Sequence, residues 1–80
     1  MSLTALVRQQ LTEKAAQRLG TTPDKITVQT WDYLFDRTNP ASREVVLGFT
    51  SQHTPPRHIM YCIGLWRTWD GVASGWIPRG

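Results

Sequence analysis

HIMYCIGLWRTWDGVASGWI, residues 58–77, decides how this chain folds. Residues 58–69 are rich in apolar, aromatic and β-branched side chains and contain no proline, so they read as one continuous strand. Asp70-Gly71 comes next, a dipeptide that tolerates the positive φ angles of a type I′ hairpin turn. Val72–Ile77 then reads as the returning strand, weakened by Gly75. A two-residue turn at this point pairs Trp69 with Val72 and brings Trp66 near Gly75 and Trp76. Three of the four tryptophans would thus share one hairpin.

Outward from that stretch, HTPPR (53–57) interrupts the pattern with two consecutive prolines, and REVVLGFTSQ (43–52) reads as the strand before it. RTNPAS (37–42) is a turn marked by Asn39-Pro40, and KITVQTWDYLF (25–35) is the first strand. Residues 3–19 follow a different period. Leu3, Val7, Leu11, Ala15 and Leu19 recur at every fourth position, with Leu6 and Ala16 widening the stripe. Ser2 is the expected N-cap and Gly20 the expected left-handed residue after the last turn, while Thr22-Pro23 opens one short helical turn. The predicted fold is α+β, with one N-terminal amphipathic helix packed on one face of a three- to four-stranded antiparallel meander sheet. Residues 1–80 form a single domain in this reading. The element order resembles cystatin-like and double-stranded-RNA-binding architectures, a likeness of order alone that carries no function.

With 40% hydrophobic and 19% charged residues and no repeats, the chain has the make-up of a small globular domain, which excludes a disordered tail or a solenoid. A domain of this size buries only about 60–70% of its unfolded surface, so its core is thin. Seven arginines and two lysines contribute to a net charge of +3, and their scatter along the chain excludes a basic arm. Such a mild positive field suits nucleic acid or an acidic protein, and equally suits plain solubility. Cys62 is the single cysteine, which rules out an internal disulfide and a cysteine-rich zinc site. The N-terminus turns polar by Arg8, unlike a signal peptide, and no apolar run nears the ~20 residues that span a bilayer. The expectation is a soluble cytoplasmic protein with no cofactor and no membrane partner.

Alternation sorts each strand into two sets. Ile26, Val28 and Leu34, then Val45, Leu47 and Phe49, then Ile59, Tyr61, Ile63 and Leu65 make an aliphatic set suited to the helix stripe. The opposite set contains Trp31, Tyr33 and Phe35, then Val46 and Gly48, then Met60, Cys62 and Trp66. One helix covers one face, and solvated outer faces normally alternate with polar residues. A second face that carries several aromatics and a methionine departs from that pattern, as an interaction patch does. Two other readings fit the same residues: cross-strand aromatic pairs that stabilise the sheet itself, and an enclosed small-molecule pocket. On the continuous-strand register, Trp66 belongs to the side away from the helix.

No nucleophile-elbow, zinc-protease, dithiol, phosphate-loop or dinucleotide motif is present. His58 and Cys62 share one strand face, but at about 3.3 Å per residue they lie about 13 Å apart, beyond the reach of a thiolate–imidazole pair. Cys62 therefore reads as a small buried apolar residue, and His53 as a loop residue beside Pro55-Pro56. Asp32 reads as an edge position or an arginine partner, and Ser74 in GVASG lacks triad partners. No catalytic residue and no metal ligand are expected.

Arg57, Arg67 and Arg79 interleave with Tyr61, Trp66, Trp69 and Trp76, the ingredients of base stacking beside a basic groove. Lysine is nearly absent, however, and no RNA-recognition octamer, zinc-finger spacing or helix-turn-helix is present. Trp, Tyr, Met and Arg without Lys match the centre of a protein interface. The sequence thus reads as a small non-catalytic module that binds a protein partner or forms a homo-oligomer. Its candidate face is Trp31, Tyr33, Met60, Trp66 and Trp76 with Arg57 and Arg67. Single-stranded nucleic-acid binding is the alternative, and small-molecule binding or service as an enzyme subunit is the second alternative.

Overall fold

A computed structural model describes residues 4–72. One helix, α1 (Ala5–Leu19), packs on an open four-stranded antiparallel meander. The strands β1 (Ile26–Leu34), β2 (Arg43–Ser51), β3 (His58–Cys62) and β4 (Leu65–Thr68) lie in spatial order β1-β2-β3-β4. This is the α+β arrangement that the change of period predicts.

The helix is bounded by its own chemistry. Thr4, with extended backbone, accepts the Val7 N–H on its Oγ1 at 3.2 Å, so the cap is Thr4 and the expectation of Ser2 is corrected. Both hydroxyl residues suit a cap, and the start at Thr4 gives the first helical position to Ala5, a strong helix former. At the other end Gly20 adopts φ 74°, and Gly20 and Thr21 donate to the carbonyls of Gln17 and Ala16, the Schellman arrangement. Pro23–Lys25 then makes a single 3₁₀ turn into β1.

Leu11, Ala15 and Leu19 bury against Leu47 and Phe49 of β2, flanked by Ile26, Val28, Val45, Ile59, Tyr61 and Trp66. Among the described residues, the apolar stripe is buried from Leu11 onward. Leu6 and Val7 stay 63% and 41% exposed, so the first part of α1 adds little to the core.

The largest correction concerns the stretch that decides the fold. The expected strand 58–69 is two strands, because the chain reverses at Ile63-Gly64. Both residues have positive φ, 51° and 73°, as the central pair of a type I′ turn requires. Cys62 pairs with Leu65, Tyr61 with Trp66, and Met60 with Arg67. Glycine inside a strand pattern marks a place where the backbone leaves the ladder, and Gly64 does so here. The turn exchanges the two faces for everything beyond it. Trp66 joins Tyr61 on the α1 side, whereas Leu65 and Arg67 join Met60 and Cys62 on the other.

Asp70-Gly71 forms a turn of another kind. Asp70 Oδ1 accepts the Val72 N–H at 3.0 Å, and Trp69 Nε1 donates to the Val72 carbonyl at 2.9 Å. The expected returning strand lies, beyond Val72, outside the described residues.

Candidate functional site

The sheet face away from α1 is built around a glycine. Gly48 sits on β2 between Trp31 of β1 and Trp69, whose rings meet edge to face at 5.0 Å and 72°. A Cβ on Gly48 would lie 2.6 Å from atoms of both indoles, so only glycine lets them close over the strand. His58 packs edge-on to Trp69 at 5.6 Å, and its Nδ1 is hydrogen-bonded to Thr50 Oγ1 at 2.9 Å. Gly71, at φ 87°, passes so close to the imidazole that a Cβ there would clash with it. These contacts tie the chain after β4 back onto β2 and β3.

Beside this cluster lies a cleft of about 250 Å³. Val46 and Cys62, both buried, are neighbours in the β2–β3 register and form its floor, and Tyr33, Phe35 and Met60 wall it. Tyr33 and Phe35 stack edge to face at 4.6 Å. The exposed Arg67 completes the lining. Burial pushes the Cys62 thiol above its usual range; the Arg67 charge opposes that shift and the Glu44 charge adds to it. A thiol held neutral is a poorer nucleophile than a thiolate.

The structure brings together Trp31, Tyr33, Met60 and Arg67 of the expected face, and places Trp66 and Arg57 elsewhere. Trp66 lies on the α1 side, 4.9 Å from Tyr61 and 5.7 Å from Phe49, with the Arg18 guanidinium 4.6 Å above its ring. Arg57 donates from Nη1 to the Leu19 carbonyl at 3.1 Å and from its backbone N–H to Ser51 Oγ at 3.1 Å, clamping the end of α1 to the start of β3. Trp76 lies outside the described residues. Trp69 is the member that the sequence reading missed. Its signal was Gly64, since a turn there moves Trp69 onto the Met60 face.

A second hollow, about 290 Å³, is polar and lined by Gly20, Thr21, Thr22, Lys25, Gln52 and His53. Next to it Ser51 Oγ lies 2.6 Å from His53 Nδ1, but Ser51 is 3% exposed and closes the 53–57 loop through Arg57. That pair holds a loop in place. Among the described residues, no group of three or more His, Cys, Asp or Glu side chains could hold a metal ion, and no helix is long and apolar enough to cross a membrane. Comparison with protein-family models, with curated proteins and with solved structures finds no match to this chain.

Proposed function

We propose that this chain is a small non-catalytic protein-binding module that uses the sheet face away from α1. The observation that carries the reading is the apolar cleft beside Arg67, with Phe35 47% and Leu65 56% exposed on the same face. Aromatic, methionine and arginine side chains around an apolar centre are what protein interfaces favour. A few of them would hold most of the binding energy. The neutral Cys62 thiol, and histidines engaged by Ser51 and Thr50, favour binding over catalysis. A reduced, free Cys62 fits a cytoplasmic setting. Nucleic-acid binding has less support, because Arg57 and Arg18 are engaged at the helix end and on Trp66.

A photo-crosslinking residue at Leu65, compared with one at Thr27 near the opposite end of the same face, tests this reading. A discrete crosslinked product, either a homodimer or a partner complex, is expected from position 65 and not from position 27. A strict monomer in sedimentation with no position-specific product would overturn it.

A further inference from the structure

The 250 Å³ cleft is more specific than a sticky patch. We propose that it receives one large apolar side chain of a partner polypeptide, with a carboxylate next to that side chain seated on Arg67. This rests on the protein-binding reading and names the partner's chemistry.

Size comes first. The volume lies below the roughly 300–1,000 Å³ of drug-sized ligand pockets, and suits a single Leu, Met or Phe side chain. The floor of Val46 and Cys62 offers no charge, since burial keeps the thiol protonated. Charge decides the neighbour of that side chain. Arg67 presents five donors, and among the described residues it takes part in no ion pair; the ion pair found there joins Arg43 to Asp32. Glu44 also acts on Cys62, and the register sets it opposite Tyr33, whereas Arg67 stands opposite Met60. Arg67 is therefore the charged side chain in the cleft's lining, and Glu44 stands outside it. An acidic group on the occupant belongs beside Arg67. The exposed Phe35 and Leu65 beside the cleft decide between a polypeptide and a free small acid. A free acid would leave them in water, whereas a partner surface covers them.

The probes are acetyl-Gly-Phe-Asp-Gly-amide and its versions with Asn or Lys in place of Asp, titrated into the isotope-labelled full chain. The Asp peptide is expected to shift the Met60 and Cys62 signals and to bind about three- to fivefold more tightly than the Asn peptide, with the Lys peptide weakest. Arg67→Gln should erase the Asp–Asn difference while leaving the weaker binding driven by Phe. Equal affinity for Asp and Asn, or shifts confined to other residues, would overturn the proposal. So would 4-phenylbutyrate shifting these signals when no peptide does, which would make the cleft a small-acid site. Tighter peptide binding by Trp76→Ala would likewise overturn it, by giving the cleft to the chain's own residues. Peptide failure with the Leu65 crosslink intact sinks the cleft assignment alone; loss of both sinks the module as well.

Discussion

β2 buries a side chain completely on each face of the sheet, and it does so by two different means. Phe49 reaches 0% exposure under a helix, against Leu11, Ala15 and Leu19. Val46 reaches 0% on the face away from α1, in a layer where Trp31 and Trp69 close over Gly48 and where Tyr33, Phe35 and Met60 stand around a cleft. The first face is closed by a regular element and is ordinary core. The second is closed by the reach of large side chains, which leaves gaps between them, and a gap floored by apolar atoms is what the proposed partner would fill.

Phe49→Ala is expected to have the largest effect. It removes a fully buried ring at the centre of the helix-covered face and should cost about 3–5 kcal/mol in denaturant unfolding. A loss under about 1 kcal/mol would mean that α1 does not define the main core. Gly48→Ala is the sharper test of the second face. On an open solvated sheet, alanine in place of glycine is neutral or favourable. Here the added methyl meets two indoles at 2.6 Å and should cost about 1–3 kcal/mol, with a change in tryptophan emission. If the variant is as stable as the parent, the two tryptophans do not close over β2 and the contrast between the faces fails.

Sequence periodicity made the helix, β1, β2 and the existence of the second aromatic face legible, because burial on one side imposes a period that survives in the residue pattern. The register beyond Cys62 was not legible. Asp70-Gly71 carries the stronger turn chemistry, while Ile63-Gly64 places a β-branched residue at φ 51°, a region that such residues seldom adopt. Pairing of Leu65–Thr68 with Ile59–Cys62 outweighs that local preference, and the ladder is visible only in three dimensions. From this one turn follow the loss of Trp66 from the candidate site and the gain of Trp69. The contact of Arg57 with Leu19 was not legible for a different reason: nothing in a sequence says that a guanidinium will cap a carbonyl thirty-eight residues earlier.

Ile63 supplies a test that separates stability from binding. Asparagine visits the left-handed region readily, so Ile63→Asn should stabilise the fold by about 1 kcal/mol and sharpen the hairpin. Ile63 is 54% exposed at the tip that leads into Leu65. A variant that gains stability yet loses the Leu65 crosslink would place the tip within the interface and explain a strained residue held there. A variant that loses stability would show that the turn is not of the I′ type.

The smallest effect concerns how tightly the second face is closed, and Cys62 reports it. Burial raises the thiol's pKa, so at any pH below the raised value the folded chain holds less thiolate than the unfolded chain. Alkylation by iodoacetamide should therefore be slower in the folded protein than in urea, and its rate–pH curve should be displaced to higher pH. The sign for stability follows from linkage. Below the unfolded thiol's pKa, near 8.5, both states carry the proton and Cys62 adds no pH dependence. As the pH rises past it, the unfolded chain loses its proton first, so stability declines until the folded thiol also ionises. Cys62→Ala should remove that part of the decline and leave the contribution of other groups. Alkylation at pH 7 as fast as that of a free cysteine would mean that burial does not hold the Cys62 thiol neutral, and the second face would be a surface instead of a second, gapped core.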